Sequence, residues 1–234
     1  MADDDSLKTL SAQPECRVAW GIVSKGESRL PASIAIIAAI ALYWALPERY
    51  TIGPTWLMPT LELSILLPLT LSSPRRVAHE GRFQQTLAIA MIAIVNVANL
   101  ASLVSLIYML LYHGRQVTGP ELVFSSLEIW LTNVIVFALW YWEIDRGGPD
   151  QRTHNNHSSP DFLFPQMSTP GCSKIDWTPH FVDYLFIAFT NATAFSPTDA
   201  MPLTITAKML MLAQSVISLV TVILVAARAV NILS

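Results

Sequence analysis

Residues Phe181 to Pro202 read FVDYLFIAFTNATAFSPTDAMP, and how this stretch sits in the molecule decides how the rest of the chain is understood. Its first part, Phe181 to Phe195, is apolar but too short to cross a hydrocarbon core of about 30 Å, which takes about 20 apolar residues in a helix. Ser196, Pro197, Thr198 and Asp199 follow at once, then Pro202, and neither proline can continue a helix that runs into it. A segment that enters the bilayer and turns back fits this pattern better than a crossing. Irregular backbone at membrane depth survives only where protein or water satisfies its polar groups. The pattern therefore predicts a re-entrant helix and loop beside a cavity or pore.

Working outward, the segment from Thr204 to Leu233 is apolar and long enough to span and protrude. On the other side lies Glu143 to His180, rich in Gly, Pro, Ser, Asn and charge, which reads as a sizeable polar loop. Four further apolar stretches precede it. Pro31 to Leu46 begins with a helix-start proline and carries Tyr43 and Trp44 as interfacial anchors. Gly53 to Ser72 is interrupted by Pro54, Pro59 and Pro68 and holds Glu62, so it either kinks or only dips into the bilayer. Phe83 to Tyr112 is rich in Ala and Ser, residues that let helices approach closely, and Asn96, Asn99 and Ser102 share one of its faces. Pro120 to Trp142 ends in Trp140, Tyr141 and Trp142, suited to the headgroup region, and carries Glu128 and Asn133. The fold class expected is an all-α integral membrane protein of about five transmembrane helices, with a re-entrant pore-helix and loop before the last. Its parts are a polar tail at 1–29, a four-helix membrane bundle at 30–143, a polar loop at 144–180, and the hairpin with the last helix at 181–234.

Composition agrees with that class and excludes others. Of 234 residues 53% are hydrophobic and 13% charged, against about 25% charged in a typical soluble domain, and the mean hydropathy is +0.46. Too few charged groups exist to clothe a soluble surface. The net charge of -3 leaves no basic excess for phosphates, so nucleic acid is excluded as a partner. The tail opens on Asp3, Asp4 and Asp5, unlike a secretory signal with its basic start, and no cleaved signal is expected. Cys16 and Cys172 read as two free thiols, a single clip between their segments being the alternative.

Asp183-Tyr184-Leu185-Phe186, then Thr193-Ala194-Phe195-Ser196-Pro197-Thr198-Asp199, then Pro202 and Lys208 resemble the pore module of tetrameric potassium channels. In that family a pore helix, a threonine-rich filter, a proline and a basic residue precede the inner helix at similar spacing. The same stretch, with Phe195 to Asp199 and Val230 to Leu233, also resembles an uncharacterised bacterial membrane family, a domain of unknown function. The pore resemblance implies a homotetramer with Thr193, Ala194, Phe195, Ser196, Pro197, Thr198 and Asp199 at the constriction. The filter departs from the family pattern. Ser196 and Thr198 stand at its glycine positions and Pro197 at its tyrosine, so a stack of carbonyls for dehydrated potassium is not expected. A wider mouth of hydroxyls and a ring of Asp199 carboxylates remains, which attracts hydrated monovalent cations with weak selectivity.

Gln214, Ser218, Thr221 and Arg228 follow at helical spacing on roughly one face of the last helix. As a pore lining they give a hydrophilic stripe ending in a basic residue; as packing groups they hydrogen-bond between helices while Arg228 snorkels to headgroups. Glu62 and Glu128 are costly in lipid and face either a proton or ion path or satisfied helix contacts. Asp183 is expected to anchor the start of the short helix. His154, His157 and Asp161 carry metal-ligand chemistry, but nothing in their Asn, Ser and Pro surroundings enforces a geometry, so a solvated loop is expected and no metal or other cofactor. Asn191-Ala192-Thr193 matches a glycosylation pattern within an apolar helix and is discounted. No catalytic constellation is present, and no enzyme is expected.

The membrane orientation has two opposed indicators. Five crossings put Lys8, Arg17, Lys25, Arg29, Arg75, Arg76, Arg82, Arg146, Arg152 and Lys174 on one face, against Arg49, Arg115 and Arg228 on the other. The positive-inside rule then places the re-entrant loop on the cytoplasmic side of a bacterial plasma membrane, whereas the channel resemblance implies the outer side. An inverted pore module, a second segment that fails to span, or an exception to the charge rule would each reconcile the two. The function expected is a homo-oligomeric, weakly selective cation pore in the lipid bilayer. The alternatives are a non-conducting scaffold or sensor subunit with a pore-like hairpin, and a small transporter with its site at the broken helix.

Overall fold

The computed structural model describes residues 30–51, 56, 60, 82–113, 118–153, 159–168, 177–195 and 199–233, the side chains at 82–84 and 228–233 excepted. The segments holding Cys16, Glu62, His154, His157, Cys172 and Ser196 to Thr198 lie outside the described residues, as do the tail and most of the proline-rich second segment.

The described chain is helical almost throughout. In order it has α1 (Leu30–Ala45), a 3-10 turn (Glu48–Tyr50), α2 (Arg82–Tyr112), α3 (Gly119–Ile144), two more 3-10 turns (Asp145–Gly147 and Gln151–Thr153), β1 (Phe162–Leu163), a one-turn α4 (Pro165–Ser168), α5 (Phe181–Ala194), β2 (Met201–Pro202) and α6 (Ile205–Leu233). Three stretches, Gln85–Tyr112, Gly119–Gly147 and Ile205–Ala227, are long and apolar enough to cross a membrane; α1 is apolar but shorter. This is a mostly helical protein with three candidate membrane-spanning helices.

The middle of the bundle is α3. Thr118 caps its start by accepting from the Glu121 N–H at 3.4 Å, and Pro120 sits in the first turn, where its missing N–H costs nothing. Three consecutive residues with positive φ stop it: Arg146 at 55°, Gly147 at 81° and Gly148 at 97°. Gly148 has no substitute, because a Cβ there would stand 2.8 Å from Gln85 Nε2 and 3.0 Å from the Glu143 carbonyl.

Ring contacts fix how the others run beside it. Trp142 meets Phe181 at 6.1 Å and Trp130 meets Phe189 at 5.7 Å, so α5 descends antiparallel to α3. Tyr141 bonds to Gln214 and Asn133 to Ser218, so α6 descends antiparallel to α3 as well. Arg49 and Tyr50 reach Glu121 at the start of α3, whereas Gln85 donates to the Gly147 carbonyl at its end, 2.7 Å away. Tyr50 and Gln85 therefore lie at opposite ends of the bundle.

Lipid tails are as apolar as leucine, so burial from water does not hold spanning helices together; close van der Waals approach and hydrogen bonds do. The buried alanines Ala35 and Ala39 on α1, Ala98 on α2, Ala138 on α3, Ala188 and Ala192 on α5 and Ala207 on α6 supply the approach. Outward faces carry large apolar side chains instead, among them Val97, Leu100, Val104 and Leu111 on α2 and Met209, Leu212 and Val216 on α6. Water-soluble monomers rarely expose apolar area on that scale, and it suits helices long and apolar enough to span a bilayer.

The segment after α3 is not simply a solvated loop. Glu143, Asp145, Arg146 and Arg152 are all buried, and β1 pairs antiparallel with β2, Phe162 opposite Pro202. These residues form a folded cap over the end of the bundle. The sequence conceals this because charged, Gly- and Pro-rich composition reports exposure only on average, and here the charges are spent on one another and on carbonyls.

Candidate functional site

Two polar clusters position the hairpin of α5, β2 and α6. The first belongs to the cap. Asp145, buried at the end of α3, takes the Tyr184 hydroxyl on Oδ2 at 2.6 Å and the Asp161 and Phe162 N–H groups on Oδ1 at 2.8 and 3.4 Å. Arg152 donates to the carbonyls of Trp142 and Asp145 at 2.7 and 3.0 Å, and its guanidinium lies over the rings of Trp142 and Tyr184. Asp161 accepts from the Arg146 N–H at 3.2 Å and from the Thr204 hydroxyl at 2.5 Å, while its carbonyl takes the Leu203 N–H at 2.8 Å. Burial pushes the Asp161 carboxyl up from the usual carboxylate range; the Thr204 hydroxyl opposes this, the Asp145 charge adds to it, and the Arg146 N–H opposes it again. Asp161 is thus a structural acceptor that fixes the start of α6, not a solvated ligand. Among the described residues no group of three or more His, Cys, Asp or Glu converges as a metal site would require.

The second cluster lies inside the bundle. Gln214, fully buried, accepts from Tyr141 at 2.6 Å and from Asn191 at 2.8 Å on its side-chain oxygen, and donates to the Ala188 carbonyl at 2.8 Å. Asn191 also donates to the Met211 carbonyl at 3.0 Å and accepts from Ser215 at 3.2 Å. Asn133 donates to Ser218 at 2.9 Å and to the Gln214 carbonyl at 3.3 Å. One glutamine thereby ties α3, α5 and α6 together.

Within the single chain this geometry matches the packing arrangement of the α6 stripe. Gln214 and Ser218 are fully buried and Thr221 nearly so, and Thr221 returns its hydroxyl to the Ile217 carbonyl at 2.8 Å. The stripe looks into its own bundle. Outward on α6 look Ile205, Met209, Leu212, Val216, Leu219 and Ile223, spaced alternately by four and three residues, with Thr206 and Lys208 exposed in the first turn. The side chain of Arg228 lies outside the described residues.

The short helix behaves as its sequence implies at its start. Asp183 takes the His180 N–H at 2.7 Å, satisfying one of the donors that a helix start leaves free. At the other end Thr193 and Ala194 are exposed, and Thr193 returns its hydroxyl to the Phe189 and Thr190 carbonyls. Phe195 ends the helix in the left-handed region, φ 54° and ψ 25°, its side chain partly exposed. Asp199 is exposed, whereas Ala200 is buried. Between Trp130 and Trp142 the helix rise amounts to about 18 Å, the depth to which α5 accompanies α3 before the chain is back beside Phe162 at Pro202.

Of the other polar residues on the apolar helices, Asn99 is buried and Asn96 half-buried on α2, with Ser102 beside them bonding to the Ala98 carbonyl at 3.1 Å. Glu128 is half-buried on α3, and one of its carboxylate oxygens is sealed from solvent with no hydrogen-bond partner. Tyr141, Asn191 and Asp145 are members of the clusters that sequence reasoning missed as such. Tyr141 reads as an interfacial aromatic and Asn191 as part of a glycosylation pattern; only their helical register against Gln214 hints at the pairing.

Compared with family models, with curated proteins and with solved structures, the chain matches none.

Proposed function

We propose that this chain is a channel-like membrane subunit that assembles with copies of itself, four in the arrangement that one pore loop per chain favours, and passes monovalent cations weakly selectively. The observation that carries it is the path of the hairpin. α5 runs about 18 Å along α3, and β2 is back at the cap before α6 starts its own descent, an order of half-helix, return and full helix that suits a pore loop. Thr193, Phe195 and Asp199 are exposed on the protomer, free to meet their counterparts in other copies. Asp199 then forms the acidic ring at the mouth, with Ser196, Pro197 and Thr198 between it and the helix.

Assembly places the outward apolar stripe of α6 toward the axis, in place of the polar stripe that holds the protomer together. Placing Tyr50 and Gln85 at opposite ends of α3 supports a crossing by the segment between them, and so five crossings in total, in a bacterial-type plasma membrane. The basic residues of the tail, of Arg75, Arg76 and Arg82, and of the cap then share one face, which the positive-inside rule assigns to the cytoplasm.

A specific observation favours a second reading, a non-conducting scaffold or sensor subunit: the Gln214 and Ser218 side chains of α6 are engaged within one chain, and the described outward stripe below the first turn is apolar. Flux assays on the purified full chain in liposomes separate the two. Monovalent cation flux that falls on Asp199→Asn supports the pore, together with a fourfold axis surrounded by α6 in averaged particle images. Tight liposomes under every voltage and pH, with a monomer or dimer by native mass measurement, support the second reading.

A further inference from the structure

Glu128 lies ten residues beyond the Thr118 cap of a helix long and apolar enough to span, which on that reading puts its backbone about 15 Å from that end and near the middle of a 30 Å hydrocarbon core. Ionisable side chains at such depth are rare and persist where they pair, reach water or carry a function. Pairing is not what holds this one. Its Oε2 is sealed from solvent without a hydrogen-bond partner, and one turn on, facing the same way, the buried Thr132 hydroxyl is also without one.

The titratable groups of the neighbouring helices stand elsewhere. Tyr43 of α1 packs in the apolar cluster that includes Ile129, and Tyr108 and Tyr112 of α2 are exposed. Asp183 and Tyr184 of α5 and Lys208 of α6 belong to the cap end. Two turns back on α3 itself, Glu121 is held by Arg49 and Tyr50, while Glu143 sits buried at the far end. Among the described residues, then, no cation faces Glu128, and a carboxylate there would be an uncompensated charge.

We propose that Glu128 is a proton-carrying carboxyl of the bilayer interior, a proton-binding site one turn from the unpartnered Thr132 hydroxyl. The proton arrives from water and returns to it, the O–H bond of the carboxylic acid being the only bond made and broken. The assignment stands apart from conduction through the hairpin, since it concerns α3 on the protomer and is read equally well in liposomes that pass no ions.

A lipid-soluble carbodiimide tests it on the full chain in liposomes, because that reagent adds to a protonated carboxyl and leaves a stable acylurea. The expected result is an adduct on Glu128 by peptide mass measurement, lost several-fold as the buffer is made alkaline. Infrared spectra of the same samples should show the carbonyl band of a protonated carboxylic acid, missing in Glu128→Gln, and this second measurement does not depend on access of the reagent. Absence of both adduct and band overturns the proposal. So does an adduct whose yield ignores pH, or one that sodium or potassium suppresses at fixed pH, which would make Glu128 a metal-cation ligand instead.

Discussion

Asn191 donates to the side-chain oxygen of Gln214 across 2.8 Å, and the same oxygen takes the Tyr141 hydroxyl at 2.6 Å from the other side. Three helices therefore meet on one atom. In a setting where apolar contacts with lipid and with protein are nearly equivalent, such a junction decides which way each helix is rotated. It turns the polar stripe of α6 inward and leaves Ile205 through Ile223 outward.

Gln214→Leu keeps the volume and removes the junction. Tyr141 loses its acceptor, Asn191 keeps only the Met211 carbonyl as an acceptor for its amide, and the Ala188 carbonyl loses a donor. Intramembrane hydrogen bonds are worth about 0.6 kcal/mol each on average, and buried groups left unpaired cost about 1–3 kcal/mol. A loss of about 2 kcal/mol is expected, read as a lower thermal midpoint in detergent. An unchanged midpoint would mean that the junction is not formed.

Tyr184→Phe tests the cap. The hydroxyl is one of the donors to the buried Asp145 carboxylate, whose remaining support is the N–H groups of Asp161 and Phe162 and the more distant Arg146 guanidinium at 3.6 Å. Removing it is expected to cost about 1–3 kcal/mol. Hydrogen exchange should quicken at Asp161 to Leu163 and at Met201 to Leu203, which the cap holds together, before it quickens in α3.

Alkaline stability should depend on Tyr50. Burial, helped by the Glu121 charge and by the hydrogen bond to it, pushes the phenol up to about 12, with Arg49 opposing. The folded chain therefore keeps a proton that the unfolded chain gives up at its ordinary value near 10. Stability from this group is complete below about 10 and is lost as pH rises from there toward about 12. Unfolding midpoints for the protein should fall across that window, and Tyr50→Phe should flatten the fall; parallel curves for the two proteins would dismiss the assignment.

The helices were legible because their signals are long and local. Apolar runs opening at Pro31, at Pro120 and at Thr204 place α1, α3 and α6 within a residue or two of where they lie. The short helix was legible too, since Asp183 and the Ser-Pro-Thr-Asp turn bracket it. Rotation of α6 was not, because helical spacing puts Gln214, Ser218 and Thr221 on a face without saying what that face meets. The cap was hidden for a related reason: Arg152 and Asp145 are seven residues apart, and only the left-handed run Arg146 to Gly148 folds them onto each other.

Phe195 supplies the last prediction, and its sign is decided by magnitudes. A non-glycine residue at φ 54° costs about 1–2 kcal/mol, which glycine would not incur. Glycine in turn gives the unfolded chain extra freedom worth about 0.4–1 kcal/mol, and the ring, 41% exposed, forfeits about 1 kcal/mol of burial within the chain. Phe195→Gly is therefore expected to leave stability level to within about 1 kcal/mol, because the relief of strain offsets the lost burial. A fall of 2 kcal/mol or more would show that the ring is packed by something outside the single chain, as it would be between copies around an axis. Thermal midpoints taken at two protein concentrations, one favouring assembly and one dilution, separate these outcomes: strain relief is independent of concentration, and an intersubunit contact is not.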